Sequence, residues 1–421
     1  MVILITIILW LYILWYSLRK RHYYFALLYF WVGIYENVGQ LYFAFFEDFN
    51  FGVNVQRIIE PYVTESVLIN YRLVLIGFFL FMAIIYFLMD KYDKCPSSPI
   101  IIKSTVSDFN FLFFGVILFG IIAVATNAGS VRQLDYLSNI YRDTKENPAL
   151  PYGQHLLVCA VGLLWYSILN RRWWYALIIA LSIAPITFEL FIAGRRQVFM
   201  PSVLLVLMLV LYNNTIKNKR RVVIVLSLAI SAFTAYQFSN RTGSIEFDPI
   251  QIIFQFSELL LIHATSLVSF SVVDVNSISF GQIYVVDLLN SFPYFRLGDF
   301  ILNAFGKKPW SYDSETVTPM GGLSMIADSI LAFHVFGPFI LAFFMAAIAH
   351  FYHRRFRIYT QYSSFANFNA MLILPIGVIF VMNYRNGFSH LIKGVVSFCL
   401  IYIFFTYLSQ FIKRLLFVRK K

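Results

Sequence analysis

The sequence predicts an all-α polytopic membrane protein. It reads as a single integral-membrane domain over residues 1–421, with about eleven transmembrane helices, the N-terminus outside and the C-terminus cytoplasmic. Three observations lead there. Of the 421 residues, 60% are hydrophobic and only 13% are charged, against about 25% charged in a soluble domain. With a mean hydropathy of +0.72, most of this surface has to face lipid. Apolar runs of roughly 17–22 residues recur along the chain, each long enough to cross a ~30 Å hydrocarbon core. Lysines and arginines cluster after alternate runs, as they do in the cytoplasmic loops of multi-pass proteins.

The spans are expected near 2–18, 25–46, 69–89, 109–128, 154–170, 174–193, 197–213, 222–238, 332–350, 364–383 and 391–411. The first run has no basic segment before it and no small-residue cleavage site after it, so it reads as a span and not as a signal peptide. The clusters are Arg19-Lys20-Arg21, Lys91/Lys94/Lys103, Arg171-Arg172, Lys217/Lys219/Arg220/Arg221, Arg354/Arg355/Arg357 and the tail from Lys413 to Lys421. Placing all of them in the cytoplasm gives those loops about twenty basic and about three acidic residues. An odd number of spans satisfies this without forcing a cluster across. Because the basic residues alternate with spans, the net charge of +12 does not point to nucleic acid. Cys95, Cys159 and Cys399 are far apart, and no disulfide or metal site is expected from them.

The one long loop, 239–331, falls between the eighth and ninth spans and outside the membrane. Loops beyond ~12–15 residues are commonly functional. Its apolar stretches, 252–270 and 283–305, are broken by Glu258, His263, Asp274, Asp287, Pro293 and Arg296. They are expected to form short amphipathic helices on, or re-entering, the outer leaflet, with two further spans as the alternative. No internal repeat is visible, which counts against the inverted-repeat plan of many transporters.

Arginines stand on the side the charge rule disfavours. Arg195 and Arg196 lie in the turn Ala193-Gly194-Arg195-Arg196, Arg241 in Ser239-Asn240-Arg241-Thr242-Gly243, and Arg385 in Tyr384-Arg385-Asn386-Gly387. All fall at span ends on the outer side, where planar guanidinium groups are suited to phosphate. Glu189, inside an apolar span before Arg195, needs a partner. Asp328, Glu246 and His390 are the candidates for a general base, and Arg296, Glu246, Tyr384, Trp310 and Glu189 for substrate binding. Glu36, Asn37 and Gln40 in the second span are expected to hydrogen-bond between helices, with no chemistry of their own. The chain carries no Gly-rich nucleotide loop and no zinc-protease signature.

Three stretches resemble the Wzy-type O-antigen (oligosaccharide repeat-unit) polymerases. They are Ala193-Gly194-Arg195-Arg196, the run from Gly321-Gly322 to Asp328 followed by Phe333 and Gly337, and Tyr384-Arg385-Asn386-Gly387. Asp328 stands where a Glu is more usual, and His334 where a Gly is expected. The resemblance implies a membrane glycosyltransferase of the GT-C-like plan in the bacterial inner membrane, with its site facing the periplasm. It implies undecaprenyl-pyrophosphate-linked oligosaccharide as substrate, polymerised without metal or cofactor, and a chain-length-regulating co-polymerase as partner. Arg195, Arg196, Arg241 and Arg385 would stabilise the leaving pyrophosphate, with Asp328 or His390 handling the proton. A flippase for the same lipid-linked unit and an O-antigen ligase of the same architecture are the alternatives.

Overall fold

The computed structural model describes residues 2–41, 62, 64–93, 158, 160–165, 167–168, 173–192, 196–213, 217–242, 257–273, 278–290, 297–306, 323–361 and 368–388, with scattered residues of the C-terminal segment between 391 and 414. All regular structure among them is helical. Among the described residues, three helical segments are long and apolar enough to cross a membrane: Val2–Arg19, Glu65–Tyr92 and Met325–Ile358. Shorter apolar helices accompany them. The expected span 109–128 lies outside the described residues.

Helix α1 (Val2–Arg19) is followed by α2 (Tyr23–Gly33), which continues into a π-helical turn, Ile34–Val38. Helix α3 (Glu65–Tyr92) is capped by Thr64, whose side chain accepts from the Val67 N–H. Both faces of α3 are apolar. Tyr71, Leu75, Phe78, Phe79, Met82 and Tyr86 are buried on one, and Ile69, Leu73, Leu80, Ile84 and Leu88 are exposed on the other. A helix apolar all round belongs in a lipid setting and not at a water-facing surface. Helices α4 (Trp173–Ile192), α5 (Arg196–Tyr212) and α6 (Lys219–Thr242) follow. The interior is unusually aromatic. Tyr24, Tyr29, Tyr71, Tyr86, Tyr384, Phe25, Phe78, Phe79 and Phe356 are all fully buried.

Helix α7 (Ser257–Val272) lies within the expected loop. Its residues Ile262 to Ser269 are buried in the protein without interruption. It packs against α3, the π turn and the later segment around Met325. Its 16 residues span about 24 Å. Helices α8 (Gln282–Leu289) and α9 (Leu297–Ala304) are short, and most of their residues are half-buried. Asn290 joins them: its amide donates to Asp299 Oδ1 at 2.9 Å, and its carbonyl oxygen accepts the Gly298 N–H at 2.9 Å.

Helix α10 (Met325–Phe333) meets α11 (Gly337–Gln361) through a 3-10 turn, His334–Phe336. His334 has φ +52, the left-handed region that favours glycine. It thus occupies the backbone conformation that explains why a glycine is expected there. A Cβ on Gly337 would overlap the Ser329 carbonyl, so the joint closes only with glycine. Helix α12 (Phe368–Met382) ends in a second 3-10 turn, Asn383–Asn386.

The basic clusters at 19–21, 217–221 and 354–357 gather at one end of the bundle. There Tyr212 lies 2.6 Å from His353, Arg354 pairs with Asp93 at 3.2 Å, and the Tyr24 N–H donates to the Tyr212 hydroxyl at 3.0 Å. Helix α2 then carries the chain about 20 Å along its axis, from His22 to Glu36 at the opposite end.

Candidate functional site

That opposite end is organised on a buried carboxylate. Glu36 is 0% exposed. Its Oε2 accepts from the Tyr71 hydroxyl at 2.9 Å and lies 3.1 Å from His263 Nδ1. Its Oε1 accepts from the Tyr384 hydroxyl at 2.7 Å and from Ser266 Oγ at 3.3 Å. Ser266 also shares a 2.7 Å hydrogen bond with Ser324, which caps α10 by accepting the Ala327 N–H at 3.0 Å. The network therefore ties together the π turn, α3, α7, the start of α10 and the end of α12. A carboxylate offers about four acceptor positions, and four polar side chains crowd the two oxygens of Glu36, with the Tyr71 and Tyr384 hydroxyls donating one to each. So placed, Glu36 fixes the positions of the surrounding helices. The expectation that Glu36 bonds between helices holds. Asn37 and Gln40, also buried, have no hydrogen-bond partner for their side chains among the described residues.

Asp328 sits beside this network and differs from Glu36. It is 4% exposed, and its Oδ2 accepts the Phe388 N–H at 2.7 Å. No other hydrogen bond is made to its carboxylate by a described residue. Gly387, with φ +69, holds the turn against it, and a Cβ there would overlap Asp328 Oδ2. The end of the Gly321–Asp328 run, Leu323–Asp328, and the Tyr384–Gly387 turn, 60 residues apart at the Asp328–Phe388 bond, thus form one joint. The Tyr284 ring packs 5.0 Å from Phe388, and its buried hydroxyl has no partner among the described residues. Burial raises the Tyr284 pKa, with Asp328 and Asp287 adding to it.

An apolar groove of about 760 Å³ opens at this joint. Tyr284, Ser329, Phe333 and Phe388 line its upper part, and it continues along α11 through Leu341, Phe344 and Ile348 to Tyr352. From Gly337 to Tyr352 it covers about 22 Å of helix, much of one hydrocarbon thickness. Its lower end approaches Tyr24, which stacks on Tyr352 at 5.1 Å.

The arginines expected at this level are described at the backbone only. Arg196 begins α5, which ends at Tyr212 beside the basic end, so Arg196 stands at the opposite end. Helix α6 starts at Lys219 at the basic end, so Arg241 in its last turn also reaches the far end. Arg241 is helical and not in a turn, a correction to the sequence reading; a cation in a last turn is favoured by the helix dipole. Arg385 lies in the 3-10 turn between Tyr384 on Glu36 and Gly387 on Asp328. Glu189, in the last turn of α4, precedes Arg196 by one short connection. Arg195, Glu246, Arg296, Trp310 and His390 lie outside the described residues. Tyr384, expected to touch substrate, is fully buried with its hydroxyl on Glu36.

Sequence reasoning did not anticipate the partners of Glu36. Tyr71, Ser266 and Ser324 are ordinary residues of apolar segments, and only the acid itself gave a signal. For metal binding, His22, Asp90 and His353 form a group at the basic end, with ligand atoms within 4.8 Å of one another. Arginines and lysines around them would repel a lone dication. No family model matches the chain, and no curated protein or solved structure matches it.

Proposed function

We propose that the chain is a membrane-embedded glycosyltransferase that joins oligosaccharide units carried on a polyprenyl pyrophosphate, the polymerase reading of its resemblance. One observation carries this: a tail-length apolar groove, lined by Ser329 and Phe388, runs up beside the joint that Asp328 makes with the Tyr384–Gly387 turn, the turn that holds Arg385. A lipid-linked sugar needs this combination of an apolar trough for the tail and polar and cationic groups at its head. The reading puts that head on the periplasmic face, opposite the basic clusters.

In the reaction, the hydroxyl of one unit attacks the anomeric carbon of the chain on the other carrier. The new glycosidic C–O bond forms as the bond to pyrophosphate breaks, and the carrier pyrophosphate leaves with the electron pair. Arg196, Arg241 and Arg385, together with Arg195, bind the charge that develops on it. Asp328 takes the hydroxyl proton on the oxygen not used by Phe388, and Glu36 holds the surrounding helices in register.

The test is the length of surface glycan in cells carrying variants that insert normally. Replacing any one of Arg196, Arg241 or Arg385 by Ala is expected to cut polymerisation about 10²–10³-fold. Asp328→Asn is expected to cost about 10²–10⁴-fold. Single repeat units on the lipid anchor would support polymerisation. Full-length carrier-linked polymer would indicate a ligase, and units trapped on the inner leaflet a flippase. Unchanged chain length in all three arginine variants ends the reading.

A further inference from the structure

The basic end of the bundle is hollowed by an open cavity of about 880 Å³ that the proposed chemistry does not use, with five of its seven cations exposed at the rim and Lys219 and Arg357 half-buried. Seven lysines and arginines line it: Lys20 and Arg21 after α1, the run from Lys217 to Arg221 at the start of α6, and Arg357 of α11. Asp90 is the one carboxylate among the lining residues. The preference for basic cytoplasmic loops explains such residues singly. It does not explain their convergence from separate segments on one hollow. None of the seven has an ion-pair partner among the described residues. Asp93, the other nearby acid, is held instead by His350 and Arg354, both outside the cavity.

The backbone adds a second sign. Arg21 has φ +64, at the left-handed position that closes α1, where its N–H donates to the Leu18 carbonyl at 3.1 Å. Helices usually end this way on glycine. A residue held in that region at a cost is expected where its side chain has work to do. Lys219 adds a third. Its Nζ donates to the Leu211 carbonyl at 2.8 Å, which fixes one cation on the cavity wall. Burial lowers its pKa, and the nearby Arg21 adds to that.

We infer that this cavity binds a diphosphate group, borne by a soluble molecule or by an anionic lipid. Its volume is within the range of small-ligand sites, about 300–1,000 Å³. One phosphate group, with a charge of roughly −1.5 to −2, leaves most of the lining charge unbalanced. Two come nearer to balance, and arginine forks suit their paired oxygens.

The protein in phosphatidylcholine nanodiscs, with EDTA present to keep His22, Asp90 and His353 free of cations, is titrated with inorganic pyrophosphate by calorimetry. In a second arm the discs contain cardiolipin, a lipid with two phosphates, and retained lipid is counted by native mass spectrometry. The variant combining Arg21→Gln, Arg221→Gln and Arg357→Gln is compared with one combining Arg19→Gln, Lys91→Gln and Arg355→Gln. The second removes the same charge outside the cavity, so effects on insertion are matched. Charge-assisted hydrogen bonds of this kind predict at least about a tenfold loss of binding in the first variant, and little change in the second. Pyrophosphate binding assigns a soluble ligand, and selective cardiolipin retention assigns a lipid. Equal loss in both variants, or no binding of either probe by the parent, overturns the inference.

Discussion

At one end of the bundle Glu36 is buried with both oxygens occupied by donors from three other segments, whereas at the other end seven cations surround a hollow and have no ion-pair partner among the described residues. Both ends gather polar groups from positions far apart in the chain. They differ in whether the fold itself answers the charge. A buried charge whose hydrogen bonds are all made internally serves the architecture, because losing it strands its partners. Cations around an open cavity add repulsion to the fold, which water and mobile counterions answer in part and a bound anion answers more fully. Asp328 lies between these cases, with one carboxylate oxygen used by the fold and the other not.

The largest effect expected from this contrast is at Glu36. Glu36→Ala leaves Tyr71, Tyr384, Ser266 and His263 without their acceptor in the interior, and is expected to destabilise by about 3–5 kcal/mol. Glu36→Gln keeps part of the network and should cost less. Arg357→Gln at the other end should leave stability unchanged or slightly raised, since it relieves repulsion. Thermal unfolding of the three purified variants in one detergent measures this. Equal melting temperatures for Glu36→Ala and Arg357→Gln would erase the distinction between the ends.

A smaller effect separates backbone strain from close approach. Gly387 and Gly306 both have left-handed φ, +69 and +64. A Cβ on Gly306 meets nothing within 4 Å, whereas one on Gly387 overlaps Asp328 Oδ2. Gly306→Ala should cost only the backbone term, about 1–2 kcal/mol. Gly387→Ala should cost more and should also lower polymerisation, because it pushes the turn carrying Arg385 away from Asp328. If both variants lose the same stability and both keep activity, the Asp328 joint is not part of the site.

The charge pattern made the basic end legible, because positive clusters after alternate spans need no knowledge of packing. The three long apolar segments could be read the same way, from length and composition. The Glu36 network could not. A tyrosine in an apolar helix reads as packing, and whether its hydroxyl meets a carboxylate depends on the rotation of helices 35 and 348 residues apart in sequence. The inward side of helix α7 was not legible for a related reason. Glu258 and His263 look like a polar face until His263 is found turned inward onto Glu36. Asp328 and the Tyr384–Gly387 turn were recognised as separate motifs, but their contact through the Phe388 N–H involves backbone, which residue identity does not encode.

The smallest effect tests whether the basic end is as dominated by cations as its lining implies. His22 lies between Asp90, whose carboxylate is 3.8 Å away, and the positive charges of Lys20 and Arg357. His350 and His353 lie on the same side, and Tyr86 bonds its Nδ1 at 3.0 Å. Burial first, then Arg357, Lys20 and His350, lower its pKa below the ordinary 6.5, against the opposing pull of Asp90. A histidine held neutral by folding contributes its full share above the unfolded value, and loses it as pH falls and the unfolded chain takes up the proton. The difference in melting temperature between the parent and His22→Gln should therefore be flat above about pH 6.5 and shrink below it. A difference that grows on acidification would mean that Asp90 outweighs burial and the cations, and that His22 charges in the folded protein. The hollow would then already hold one compensated pair, and its claim on an external anion would weaken by that much.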